Sequence, residues 1–118
     1  MTARLSVLLV LAASPLLADS PEVVSARAFP AGDYWTIEVT IAHPDTGWDH
    51  FAKGWSVSTE DGTELGYREL AHPHVDEQPF TRSLEAVQIP EGTRVLVIRA
   101  KCSMTGWASE TFRLTLDD

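Results

Sequence analysis

The chain has 118 residues, of which 44% are hydrophobic, and its formal net charge is −8. This length suits one small domain with a modest core. The acidic balance argues against nucleic acid as a partner and against charge-driven binding to anionic membranes. The single cysteine, Cys102, excludes an intrachain disulfide. Cys102 could then be a buried thiol, form a disulfide with another chain or bind a metal. The buried thiol is favoured because free cysteine is among the most buried residues.

The first residues have the pattern of a secretory signal peptide. Arg4 gives a positive start, residues 5–18 form an apolar stretch, and small Ala18 ends it. The stretch is shorter than the ~20 residues of a membrane span and is broken by Pro15. We therefore expect residues 1–18 to be removed, with a periplasmic or secreted product and no membrane anchor after cleavage.

The remaining residues, 19–118, are expected to form a single all-β domain. Alternation of apolar and polar residues dominates, and no sustained helical period is present. The predicted strands are residues 22–29, 33–42, 53–59, 63–70, 80–87, 93–102 and 109–116. Tight turns that contain Gly are predicted at 30–33, 60–63 and 90–93. Short strands at this spacing predict an antiparallel β-sandwich.

The alternation also predicts which side chains face the core. The expected core residues are Trp35, Ile37, Val39, Ile41, Trp55, Val57, Leu96, Ile98, Ala100, Cys102, Phe112, Leu114 and Leu116. Seven strands in about 100 residues, with Trp55 on the third, resemble the immunoglobulin-like or fibronectin type III sandwich. The resemblance implies a seven-stranded, immunoglobulin-like fold without the disulfide of antibody domains.

The longer connections are predicted to share one end of this sandwich. In an up-and-down tracing, successive connections alternate between the two ends. The tight turns alternate with the longer loops, which are residues 43–52, 71–79 and 103–108. We call the end formed by these loops the loop pole. Loops held by a rigid scaffold are where binding residues concentrate.

All 4 histidines of the chain lie in two of these loops. His72 and His74 form a His-x-His segment, in which an extended backbone points both side chains to one side. Imidazoles with carboxylates nearby suit Zn(II) or Cu(II), and an added Cys102 or Met104 would favour Cu(I). The pattern predicts a copper or zinc site with His72 and His74 as core ligands and His43 or His50 completing the shell.

Two other interpretations remain open. Two of the histidines precede proline, which holds the preceding residue extended, so these segments could simply end strands. Alternatively, the domain is a protein-interaction module with Trp48 and Trp107 as anchors, because tryptophan is enriched in binding hot spots. Asp49 and Glu77 are further candidate contacts. The expected partner is thus an unknown protein or a metal ion.

No enzymatic motif is recognisable. The chain contains no G-x-S-x-G, no phosphate-binding glycine loop, no H-E-x-x-H and no C-x-x-C. An open metal position could activate water, but the sequence assigns no acid/base pair to it. The expectation is a binding protein and not an enzyme.

Two segments carry a resemblance to other proteins. GWDHFAKGW (47–55) and AHPHVDEQPFTRSL (71–84) resemble an uncharacterised family of small exported bacterial proteins that pair such segments with a late Gly-Trp. The resemblance extends over most of residues 19–118. It implies secretion and a one-domain sandwich, and it brings no known activity.

Overall fold

A computed structural model of the chain describes residues 20–116. The expected signal peptide, residues 1–18, lies outside the described residues. The described part is all-β, as predicted. None of its segments is a helix that is long and apolar enough to cross a membrane.

Eight strands follow one another along the described residues. They are β1 (Glu22–Ala31), β2 (Tyr34–Ala42), β3 (Ala52–Thr59), β4 (Glu64–Glu69), β5 (Phe80–Val87), β6 (Val95–Cys102), β7 (Gly106–Trp107) and β8 (Phe112–Thr115). Each predicted strand has a counterpart. The predicted count of seven becomes eight, because the last loop folds back and pairs Gly106 with Cys102 and Trp107 with Lys101.

The strands form two antiparallel sheets. One sheet has the order β1-β2-β5, and the other has the order β4-β3-β6-β7, with β8 also pairing with β6. The chain therefore passes from one sheet to the other after β2, after β4 and after β5. Pairing of β3 with β6 places Ala52 opposite Cys102, at the end of the sheet where the first long loop ends and the third begins.

Both sheets contribute to one core. The fully buried core residues include Ile37, Val39 and Ile41 of β2, Trp55 and Val57 of β3, and Leu96, Ile98 and Ala100 of β6. This confirms the predicted inward faces of these strands. Some expected core residues are only partly buried, namely Trp35, Phe112, Leu114 and Leu116. The last three lie on or next to β8, which pairs with β6 alone, so its outer side has no neighbouring strand among the described residues.

The three long loops meet at one end, which confirms the predicted loop pole. Asp45 Oδ2 accepts a hydrogen bond from the His74 backbone N at 2.7 Å, which joins the first loop to the second. The Ser103 backbone N donates to the Phe51 carbonyl oxygen at 2.9 Å, and the Phe51 N donates to Ser103 Oγ at 3.0 Å. The third loop is therefore also fastened to the first.

Two of the tight turns also meet. Residues 59–63 and 90–95 line a common shallow depression. We call this end the turn pole. Arg113 of β8 adds an ion pair with Glu60 there. The two poles thus differ in the length and composition of the segments that form them.

Candidate functional site

Asp45 is the central hydrogen-bond acceptor of the loop pole. Its side chain has 0% exposure. Oδ1 accepts from His43 Nδ1 at 2.5 Å and from the Ala52 backbone N at 3.0 Å, while Oδ2 accepts from the His74 N at 2.7 Å. A buried carboxylate is tolerated when its oxygens are paired in this way. Asp45 therefore ties together the end of β2, the start of β3 and the second long loop.

The contact with Asp45 fixes the orientation of the His43 ring. A carboxylate oxygen only accepts, so Nδ1 of His43 is the donor in this contact. Metal-binding histidines in proteins typically donate their other ring N–H to a carboxylate in this manner. The His43 backbone N donates to Gln78 Oε1 at 2.9 Å, and Gln78 Nε2 donates to the His74 carbonyl oxygen at 2.9 Å. Gln78 thus bridges the two histidine-bearing loops.

His43, His50 and Cys102 form a group that could hold a metal ion. One possible ligand atom from each of them lies within 4.8 Å of those of the other two. The rings of His43 and His50 meet edge to face, with their centroids 4.7 Å apart. His43 and Cys102 are buried at 3% and 1% exposure, and His50 is half-buried. The pairing of β3 with β6 brings Cys102 to the first loop, where both histidines lie.

The sequence placed His72 and His74 at the centre of the metal site, but the group formed in the structure does not include them. The two rings lie side by side with centroids 4.6 Å apart. His72 is exposed, and its Nδ1 donates to the Pro73 carbonyl oxygen at 2.9 Å. Metal binding by this pair stays a prediction.

His74 is a core residue of the loop pole. Its ring stacks on Phe80 with a centroid separation of 3.9 Å and an interplanar angle of 8°. The residue is 5% exposed, and neither ring nitrogen has a hydrogen-bond partner among residues 20–116. Burial, and then the nearby Arg82 and His72, lower the pKa of His74 from its usual 6.5. His74 is therefore best accommodated as a neutral ring.

The candidate contact residues lie on the outside of the loop pole. Trp48 is 69% exposed and touches Phe51 edge to face, with centroids 5.6 Å apart. Trp107 is 38% exposed, and Lys101 Nζ lies 5.1 Å from its ring centroid. Trp107 also contacts Tyr67 edge to face, with ring centroids 5.9 Å apart, so Trp48 is the more exposed of the two tryptophans.

The two candidate carboxylates are also on the surface. Asp49 is exposed beside Trp48 in the sequence. Glu77 accepts a hydrogen bond from Arg82 Nη2 at 3.0 Å, and this bond lowers the pKa of Glu77 below its usual value. Because both side chains of the Glu77–Arg82 pair are in contact with solvent, the pair contributes little to folding.

A groove of about 690 Å³ adjoins the loop pole. His43 and Gln78 form part of its wall, together with the start of β1 and the segment that leads into β8. Among residues 20–116, the groove therefore adjoins one member of the metal-binding group and lies between the start of β1 and the segment that leads into β8.

The comparisons with known proteins give one relative to report. No protein-family profile matches the chain, and no solved structure matches it. A protein of Halomicrobium mukohataei named "Putative lipoprotein" is 43% identical over 72 residues, which are 61% of this chain and 35% of the relative. The chain thus spans about a third of the length of that protein. The similarity does not extend far enough to assign a family.

Proposed function

We propose that the chain is an exported, non-enzymatic binding protein that holds a copper or zinc ion at its loop pole. The observation that carries the proposal is the group of His43, His50 and Cys102, whose ligand atoms lie within 4.8 Å of one another. Zn–N bonds of about 2.0–2.1 Å and Zn–S bonds of about 2.3 Å in a tetrahedron separate ligand atoms by roughly 3.3–3.7 Å. A small contraction of the group would therefore give a bound geometry.

The surroundings of the group support a site that is organised before the ion arrives. Asp45 orients His43, and Asp45 is itself held by the backbone of Ala52 and His74. Cys102 lies at the end of a central strand of its sheet. Ligands supported by such outer contacts hold their rotamers, and loss of the supporting group typically lowers metal affinity about 10–100-fold.

The donor set favours late transition metals. Imidazole suits zinc and copper, and thiolate favours zinc and Cu(I) over magnesium or calcium, which prefer oxygen ligands. The His74 backbone N donates to Asp45 Oδ2, so His74 can influence the site through that carboxylate and is assigned a supporting role. His72 is exposed, and its ring donates to the Pro73 carbonyl oxygen.

Two further parts of the proposal concern location and fold. The leader pattern of residues 1–18 and the name "Putative lipoprotein" of the similar archaeal protein support export to the periplasm or the medium. The strand orders β1-β2-β5 and β4-β3-β6-β7 support an immunoglobulin-like sandwich, because the third and sixth strands pair in one sheet and the second and fifth in the other.

The test is titration of the metal-free protein with Zn(II) and, separately, with Cu(II), followed by elemental analysis. We expect His50→Ala and Cys102→Ser to lower the affinity at least about 100-fold, because each removes a direct ligand, whereas loss of an outer-shell partner alone typically costs about 10–100-fold. His72→Ala is the matched histidine variant at the same pole, and it should leave the affinity within a few-fold.

Three results would decide against this assignment. Loss of binding in His72→Ala/His74→Ala with full binding in His50→Ala would move the site to the His-x-His segment. Equal affinity in wild type and every variant would show that the ion binds elsewhere. Absence of stoichiometric metal in the wild type would end the metal proposal.

A second candidate function is a protein-interaction module. Exposed large apolar side chains concentrate at the loop pole, where Trp48, Val75, Met104 and Trp107 are 38–69% exposed. Such a patch around a buried polar centre is typical of a binding surface. Trp48→Ala should then weaken partner binding while leaving metal affinity unchanged. Metal binding should also weaken at acidic pH, because protons compete with the ion for imidazole nitrogens, whereas binding through an aromatic anchor should not.

A further inference from the structure

The sulfur of Cys102 has an environment that an inert core thiol does not require. The Met104 backbone N donates a hydrogen bond to Cys102 Sγ at 3.4 Å. The residue is 1% exposed, and it faces two imidazole-bearing side chains across the group described above. An N–H donor stabilises a sulfur that carries negative charge, and in copper sites hydrogen bonding around the cysteine sulfur tunes the redox potential.

The donor set also has the composition of a particular kind of metal centre. Two imidazoles and one thiolate around one ion form the trigonal arrangement used by copper sites that transfer electrons. Structural zinc sites instead surround the ion with four protein ligands. Within residues 20–116, the group comprises His43, His50 and Cys102, one donor short of such a zinc site.

Contacts outside the group hold its ligands in place. His43 is fixed by Asp45, and Asp45 also accepts from the Ala52 backbone N. Ala52 in turn lies opposite Cys102 in the β3–β6 pairing. Asp45 thus supports both His43 and the strand position opposite Cys102. The backbone of His50 pairs with that of Gly47 in an isolated β-bridge, which holds His50 in place.

We propose that the His43–His50–Cys102 group is a one-electron copper centre, in which both imidazoles and the Cys102 thiolate bind copper as Cu(II) and as Cu(I). The inference rests on the proposed function. Its redox step adds one electron from a one-electron carrier to Cu(II) and gives Cu(I). No ligand bond forms or breaks in that step, and no proton moves.

The side chain of Met104 is not assigned as a ligand. It is 67% exposed, whereas its backbone N–H points to the sulfur. Met104→Leu retains the N–H and removes the thioether, so this variant separates the two roles.

The experiment adds one equivalent of Cu(II) to the metal-free protein without oxygen and records the visible spectrum. We expect an intense thiolate-to-copper absorption that one electron equivalent of dithionite bleaches and ferricyanide restores. Cys102→Ser should abolish this band. His50→Gln, which leaves the thiol in place, should lower copper retention at least tenfold. Met104→Leu should keep the band and its reversibility, and loss of the band in this variant would contradict the backbone role.

Two results would overturn the inference. The first is that the wild-type protein binds Cu(II) without showing a thiolate-to-copper band, or that the Cys102→Ser variant shows the same band as wild type. The other is oxidation of the thiol, in which two protein thiols and two Cu(II) ions give one disulfide-linked dimer, two Cu(I) ions and two protons. Non-reducing electrophoresis detects that dimer.

The controls separate this failure from failure of the proposed function. Elemental analysis and far-ultraviolet circular dichroism are measured on every variant, so an unfolded Cys102→Ser protein is recognised. Co(II) is the second probe, because a bound thiolate gives Co(II) its own charge-transfer absorption. Wild type that retains neither Zn(II), Co(II) nor copper contradicts metal binding itself. Wild type that retains Zn(II) or Co(II) but shows no reversible copper band contradicts only the electron-transfer centre.

Discussion

Asp45 and Asp61 lie at opposite poles of the molecule, and each accepts several hydrogen bonds. Asp61 Oδ1 is bound by Thr59 Oγ1, by the Thr63 backbone N and by Thr63 Oγ1, all of which are two residues away in the sequence. Asp45 is bound by residues that lie 2, 7 and 29 positions away. The exposed turn pole therefore satisfies its carboxylate locally, whereas the buried loop pole depends on the whole fold.

The two poles also differ in which kinds of side chain they bury and which they expose to solvent. At the loop pole, Asp45 and His43 are inside while Trp48 and Met104 face solvent. At the turn pole, the polar residues of the turns are themselves on the surface. Enclosing ionisable groups and exposing large apolar ones are both unfavourable for folding alone. The loop pole thus carries arrangements that binding explains better than stability does.

The largest expected effect concerns the core that supports both poles. Trp55 has 0% exposure, so Trp55→Ala should lower the free energy of unfolding by about 3–5 kcal/mol. Trp48→Ala, which removes an exposed side chain of the loop pole, is the matched control and should change this free energy by less than about 0.5 kcal/mol. Urea denaturation measures both. A Trp55→Ala loss below about 1 kcal/mol would show that the core does not depend on this strand face.

The second prediction tests the comparison directly. Asp45→Ala leaves two backbone donors and a buried imidazole without their acceptor, so the loss should be about 3 kcal/mol or more. Asp61→Ala removes as many hydrogen bonds at the exposed turn pole, where water replaces them, and its loss should be much smaller. Similar losses for the two variants in the same denaturation assay would remove the distinction between the poles.

The third prediction concerns metal and the loop pole alone. Zn(II) at a free concentration 100 times its dissociation constant should raise the free energy of unfolding by about 2.7 kcal/mol. The rise in melting temperature is followed by calorimetry, and a chelator should reverse it. His50→Gln should abolish the rise, whereas Asp61→Asn at the turn pole should preserve it. An equal rise in wild type and His50→Gln would indicate that Zn(II) acts elsewhere.

The smallest effect is a difference in pH dependence between the poles. Burial holds the pKa of His74 below 6.5 in the folded protein. As the pH falls, His74 therefore binds a proton in the unfolded chain before it does so in the folded protein. The free energy of unfolding should decrease below pH ~6.5 until the folded-state pKa of His74 is passed. His74→Leu should flatten this part of the metal-free stability profile.

The turn pole should titrate in a different range. Hydrogen bonds from Thr59 and Thr63 lower the pKa of Asp61 below its usual 3.8. Its contribution is present above that pH and is lost as the pH falls through the lower, folded-state pKa. Asp61→Asn should therefore leave the profile between pH 5 and 8 unchanged.

A profile of His74→Leu that matches wild type over this range would show that the His74 ring is not held neutral by folding.

Much of the fold was predictable from the sequence because its signals are local. Alternation with a period of two depends only on which strand face is buried, and it identified the inward faces of β2, β3 and β6. Gly-containing turns mark where strands end, and their alternation with longer loops predicted the loop pole. The short strand β7 was missed because two paired residues, Gly106 and Trp107, are too few to show a period.

The composition of the site was decided by tertiary structure. The sequence identified the four histidines and their shared pole, but it favoured His72 and His74, whose spacing is visible along the chain. The structure instead brings together His43, His50 and Cys102, which are separated by up to 59 positions. Their proximity results from the pairing of β3 with β6 and from the hydrogen bonds of Asp45, and both are long-range contacts that no local pattern encodes.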